Sequence, residues 1–190
     1  MATFEIFVHL EAVGRQGWES NPDGRPLTEL GQRQAEKIAD ELLAAGPVDG
    51  VFASNNTRSR QSVEPLAKRA GLAVKDVLGF QPPRGSGGDP DPLTPALQAG
   101  MVFADVMKIQ AAGPNGRYVI CSNGGDIINS LMAFYAGVNG QANPPKLEVG
   151  LGGGPANIRR GNVYTVVIDG ASAKISQREA SPDFPQTTPA

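Results

Sequence analysis

A chain of 190 residues, 40% hydrophobic and 19% charged, is large enough for one buried core and too short to require two domains. Seventeen basic residues against nineteen acidic ones leave a net charge of -2, which excludes a global basic field for nucleic acid and leaves small neutral or anionic ligands as the expected partners. One cysteine excludes an internal disulfide, and one cysteine with one histidine supplies no Cys/His ligand set for a structural zinc.

The first element, FEIFVHL (residues 4–10), is dense in aromatic and branched residues and too short for a typical helix, so it reads as a buried strand. LTELGQRQAEKIADELLAAG then gives a helix, with Thr28 as its cap, an inward stripe at Ala35, Ile38, Ala39 and Leu42, and Gly46 as its stop. VDGVFAS (48–54) reads as a second strand. RSRQSVEPLAKRAG (58–71) reads as a second helix, with Val63, Leu66, Ala67 and Ala70 inward. After a loop at RGSGGDPDP (84–92), a helix is expected over 97–111, a strand over 117–123 and a helix over 125–137. A second Gly/Pro-rich stretch (139–161) precedes NVYTVVIDG (162–170), expected to be the last strand.

Strands alternating with helices predict an α/β fold, a three-layer sandwich with a mainly parallel sheet and helices on both faces. Residues 1–175 form the expected single domain, and 176–190, ending in SPDFPQTTPA, have the composition of a flexible tail. The start MATFEIFV lacks the basic, then apolar, build of a secretory signal. Nowhere do the about 20 apolar residues of a membrane span run together. A cytoplasmic protein with no membrane partner is the expectation.

Ligands of open α/β sheets bind at the carboxyl ends of the strands. The first strand ends at His9 and Glu11, the second at Ser54, Asn55 and Asn56 with Arg58 opening the next helix, and the third at Ser122, Asn123 and Gly124. His9, the only histidine, reads either as a buried side chain satisfied by backbone or as a nucleophile or general base. Glu11 is a solvated loop residue or, in an extended chain, shares a face with His9 and raises its basicity. Arg58 is an anion anchor or a surface arginine. Asn123 orients a ligand or caps the following helix. In GRQGWESNPDGR, Trp18 stacks on a ligand or packs on the body, and Arg15 or Arg25 offers a cation. Cys121, inside an apolar strand, reads as core.

The ordered blocks VHLEA, GRPLTELGQRQAEKIADEL, FASNNTRSRQSVEPLA and VICSNGGDI, over roughly residues 4–137, resemble the histidine phosphatase superfamily, the phosphoglycerate mutase-like fold. The resemblance implies attack of a histidine on phosphorus to form phosphohistidine. Two arginines and a second histidine hold the phosphoryl oxygens, a carboxylic acid protonates the leaving group, and neither a metal nor an organic cofactor is needed. It makes His9 the nucleophile and Arg58 one of the arginines.

Val8 stands where the first arginine belongs, Leu10 where a glycine belongs and Asn123 where the second histidine belongs. Valine cannot imitate a bidentate, charge-assisted grip, and each lost transition-state donor typically costs ~10²–10³ in rate. Leu10 is expected to wall the pocket. No acid is assigned, with Gln81, Asp89 and Asp91 in the region where the family carries one.

Three functions are open. The first is a divergent enzyme in which His9 and Glu11 perform acid–base chemistry on a small organic substrate held by Arg58 and Asn123, with Ser54, Asn55, Gly124, Arg15 and Trp18 lining the site. The second is a phosphomonoesterase acting through His9, with Arg15, Arg25 or Arg84 filling the gap. The third is a non-catalytic pseudophosphatase that binds a ligand or partner.

Overall fold

The computed structural model describes residues 1–18, 20–80, 93–124, 147–149, 160–169 and 172–186. In chain order these form β1 (Ala2–Val8), a 3-10 turn (Pro22–Gly24), α1 (Glu29–Ala44), β2 (Gly50–Ala53), α2 (Thr57–Ala70) and β3 (Val74–Asp76). A second 3-10 turn (Leu78–Phe80), α3 (Leu93–Ala112), β4 (Arg117–Ser122), β5 (Leu147–Val149), β6 (Val163–Asp169) and β7 (Ser172–Arg178) follow.

The seven strands make one sheet in the order β3-β2-β4-β1-β6-β7-β5. β3, β2, β4 and β1 run parallel. β6 turns antiparallel against β1 and β7 antiparallel against β6, while β5 lies parallel to β7. The expected parallel core is present, within a mixed sheet.

The pleat sends alternate side chains to opposite faces. Phe4 and Ile6 of β1 enter a cluster with Val102, Val106 and Ile109 of α3. Phe7 enters the opposite cluster with Ala35, Ile38 and Leu42 of α1 and Val63 and Leu66 of α2. Helices therefore cover both faces, as the sequence predicts.

α1 starts where its cap residue dictates: Thr28 Oγ1 accepts the Gly31 N–H at 3.1 Å. α2 is capped by Asn56, whose Oδ1 accepts the Ser59 N–H at 2.9 Å, and closes on Gly71 with φ 68°.

Several expectations shift. β1 stops at Val8, so His9 and Leu10 begin the loop. β3 was not anticipated, because an edge strand of three residues with two exposed side chains lacks an apolar run. β6 is not the last strand: β7 follows, and a domain boundary at residue 175 falls inside it. Residues beyond β7 pack back on α1, with Phe184 only 2% exposed and Gln34 Nε2 donating to the Pro185 carbonyl at 2.7 Å. The helix expected at 125–137 lies outside the described residues, as do Gln81 and the loop at 84–92.

Candidate active site

Parallel pairing brings three strand ends to one edge of the sheet. Val8 is in register with Ser122 across β1 and β4, and Ala53 with Cys121 across β2 and β4. The chain continues this pairing past the strands: His9 N–H donates to Ser122 O and Ser54 N–H to Cys121 O, each at 3.0 Å. His9, Ser54 and Asn123 therefore emerge side by side, as the order of strands implies.

His9 Nδ1 lies 2.8 Å from the Leu10 carbonyl. A carbonyl only accepts, so Nδ1 carries the proton and the Nε2 lone pair is available. Burial drives the His9 pKa down to about 4, the Leu10 bond opposes this, and the fields of Arg58, Arg160 and Arg25 push it down further. At neutral pH the imidazole is uncharged.

Leu10 does not wall a pocket. Its side chain is fully buried among Phe7, Leu27 and the α1 residues, and its N–H donates to Ser62 Oγ at 3.0 Å. Val8 packs on the opposite cluster, beside α3. The two substitutions in the motif are thus both absorbed by the hydrophobic layers.

Arg58, at the start of α2, is 6% exposed. Its Nη1 donates to Pro22 O at 2.8 Å and its Nη2 to Asn123 Oδ1. Its Nε is buried without a hydrogen-bond partner among the described residues, and so is the Nε of Arg25. Burial lowers the pKa of Arg58, with the neighbouring Arg25 adding to the effect.

Arg25 is delivered by a closed loop. Residues 11–13 pair with 26–28 through Val13 N–H to Pro26 O and Thr28 N–H to Glu11 O, each 3.0 Å, so the excursion between them returns beside its origin. Successive turns at 15–18, 18–21 and 21–24 close it. Arg25 Nη1 then donates to Val13 O at 2.8 Å. The glycine of LTELG has its reason here: a Cβ on Gly31 would sit 1.9 Å from Glu11 O.

Glu11 does not serve His9. Its carboxylate pairs with Arg160, and the His9 pKa falls, which does not fit the one of the two readings of Glu11 in which it raises the basicity of His9. Arg160, in the turn before β6, was missed by sequence reasoning, since an arginine next to a glycine 149 residues from Glu11 carries no local signal. Gln34 was also missed, although a polar residue on the inward face of α1 marks it. Its Oε1 accepts the Glu11 N–H at 2.9 Å.

Of the other candidates, Ser54 is fully buried, and its hydroxyl accepts from Asn56 Nδ2 at 2.7 Å, a structural task behind the site. Asn55 is exposed, Trp18 is half-buried in the loop, and Arg15 is exposed but within electrostatic reach of Arg25 and Arg58. Ser122 Oγ donates to Gly124 O at 2.9 Å, fixing the end of β4. Cys121 is buried, and its thiol is pushed up to about 12, so it behaves as core.

Arg25, Arg58 and Arg160 thus share one field around His9, with Arg15 acting on Arg25 and Arg58, against the carboxylates of Glu11 and Asp23. On a chain with a net charge of -2, this is a local cationic surplus. Among the described residues no group of three His, Cys, Asp or Glu could hold a metal ion. No described helix is long and apolar enough to cross a membrane.

Residues 11–81 match the family model of the histidine phosphatase superfamily (branch 1). The match begins two residues after His9. The PE-PGRS family protein PE_PGRS11 of Mycobacterium tuberculosis is 36% identical over 90 residues, which are 47% of this chain and 13% of that protein. The chain therefore spans a small part of that relative's length. Among solved structures, the protein histidine phosphatase SixA complexed with tungstate superposes with a TM-score of 0.64 at 17% identity, over 93% of this chain and 96% of that one. A mycobacterial glucosyl-3-phosphoglycerate phosphatase in complex with inorganic phosphate gives 0.64 at 16% identity, over 97% and 99%. These likenesses establish a shared phosphoglycerate mutase-like fold.

Proposed function

We propose, from the match of residues 11–81 to the histidine phosphatase superfamily and the shared fold, that this chain takes a small phosphorylated substrate at the β1–β2–β4 edge and transfers the phosphoryl group to His9 Nε2. The observation that carries this reading is the cationic surplus around a histidine held neutral with Nδ1 committed to Leu10 O. A phosphomonoester dianion needs such a field, and a nucleophilic imidazole must be unprotonated.

The chemistry balances without a cofactor. The Nε2 lone pair forms the N–P bond as the bond between phosphorus and the leaving oxygen breaks, and that oxygen departs as an alcohol after taking a proton. Water then attacks phosphorus, the N–P bond breaks, and inorganic phosphate leaves with His9 neutral again. Arg58 and Arg25, whose charges act on His9, supply guanidinium donors to the phosphoryl oxygens.

The acid–base alternative is weaker. A base with a pKa of about 4 has little drive to abstract protons at neutral pH, and the Glu11 carboxylate is engaged by Arg160. Without an arginine at Val8 and a histidine at Asn123, turnover should lie at least ~10²–10³, the cost of a single donor, below that of a full donor set.

A second reading, binding without turnover, is favoured by one observation: the Asn123 carbonyl already occupies an Arg58 donor. Hydrolysis of p-nitrophenyl phosphate, whose leaving group needs no acid, separates the two. Turnover abolished by His9→Ala, with phosphohistidine trapped in the native protein, supports phosphoryl transfer. Phosphate binding with no turnover supports the binder, and neither binding nor turnover would sink both.

A further inference from the structure

The segment after β7 is stitched to the site from two directions. Gln34, 1% exposed, takes the Glu11 N–H on its Oε1 and gives its Nε2 to Pro185 O, so one amide side chain joins the residue after the His9–Leu10 turn to the C-terminal segment. On the other side, Phe184 fills the core beneath the turn that carries Arg160. Gly161 has φ 88°, and a Cβ there would lie 2.7 Å from Phe184 Cε1 and 2.8 Å from Ala180 Cβ, so this turn is seated directly on the segment. Asn162 Oδ1 accepts the Ala180 N–H at 2.9 Å, which pins the next residue. Lys37 with Asp183, and Ser181 with Glu41, fasten the segment to α1.

Resting on the phosphoryl reading above, we infer that Arg160 is a substrate-binding residue that supplies, from the far end of the chain, a cation the β1 end lacks, and that Phe184 is the positioning residue that holds it there. The guanidinium reaches the site by pairing with Glu11, two residues from His9, and the Arg160 side chain is 43% exposed, so it is accessible to an incoming anion. Among the described residues, the contacts that tie residue 160 to this edge come from segments distant in sequence. The placement depends on the glycine turn, and the glycine turn depends on the aromatic ring beneath it.

The chain's single histidine makes the test direct, because one imidazole NMR signal reports the site. Among the described residues, the charged groups around it are Arg58 from α2, Arg25 from the loop, Arg160 from the turn before β6, and Glu11 on its own segment. The full chain is titrated with inorganic phosphate, and separately with acid in the absence of phosphate, as native protein, Arg160→Gln, Phe184→Ala and the double variant.

Arg160→Gln should weaken phosphate about tenfold, the loss of one charge-assisted contact, and raise the ligand-free His9 midpoint. Phe184→Ala should move both readouts in the same direction, and the double variant should move them no further than Arg160→Gln alone. Phe184→Leu, which keeps the core filled, should recover most of the phosphate affinity. Additive losses in the double variant, or a folded Phe184→Ala with native affinity and midpoint, would overturn the positioning role. If Phe184→Ala does not fold, Gly161→Ala lifts the same turn and must reproduce the effect. No response of the native His9 signal to phosphate would overturn the phosphoryl reading and with it the ligand assigned to Arg160, whereas the ligand-free midpoints judge the positioning by Phe184 separately.

Discussion

Asn123 Oδ1 accepts a hydrogen bond from Arg58 Nη2 across 65 residues of sequence, so the side chain at the end of β4 holds the cation at the start of α2. The two residues act as a unit, and their substitutions should not add. Arg58→Ala is expected to reduce kcat/KM for p-nitrophenyl phosphate by ~10²–10³. Asn123→Ala should cost about tenfold in the native background, the scale of one charge-assisted bond, and little in Arg58→Ala. Steady-state kinetics on the four proteins check this.

Arg25 presents a different case, since its loop closes beside His9 and its buried Nε–H has no partner among the described residues. Arg25→Ala should raise the dissociation constant for inorganic phosphate by about tenfold or more while leaving the fold intact, as expected for a lost charged donor. Isothermal titration calorimetry measures the first and thermal unfolding the second. Unchanged affinity would remove Arg25 from the site.

The pH dependence follows from a depressed histidine. His9 falls from 6.5 to about 4 on folding, so between those values the unfolded chain binds a proton that the native one does not. Its contribution to stability is therefore constant above pH 6.5, declines as pH falls from 6.5 to about 4, and levels off below. His9→Gln should flatten that part of the stability curve. The native imidazole should titrate near pH 4 by NMR, and added phosphate should raise the midpoint by placing negative charge beside it.

Ser62 joins stability to the site. Fully buried, its hydroxyl takes the Leu10 N–H at 3.0 Å and donates to Arg58 O at 2.7 Å. Ser62→Ala leaves a buried N–H unpaired and should destabilise the protein by about 1–3 kcal/mol. Denaturant unfolding gives the value. Ser62→Thr, which keeps the hydroxyl, should be milder unless its extra methyl overpacks the layer.

How much of this was legible depends on the range of the interaction. α1 was readable from its Thr28 cap, its stripe at Ala35, Ile38, Ala39 and Leu42 and its glycine stop, because burial of one helix face writes a period into the sequence. β3 and β7 were not. β3 has three residues at a sheet edge, and β7 alternates Ala173 and Ile175 with polar residues after a stretch that already read as the last strand. The convergence of His9 and Asn123 was legible because parallel strands align their carboxyl ends. The pairing of Glu11 with His9 was a local inference, and the structure replaced it with a contact to Arg160.

The sequence by itself determined the layers, the two capped helices and the strand ends at which His9, Arg58 and Asn123 stand, since local periodicity and turn chemistry encode which face is buried. Only the tertiary structure decided which cations surround His9. Arg25 arrives through the closure of the loop between Val13 and Pro26, and Arg160 through a turn seated on Phe184. Valine and leucine at positions 8 and 10 read as losses along the chain. In three dimensions Leu10 lies in one core cluster and Val8 packs against the other, and the charge is gathered from segments that only folding brings together.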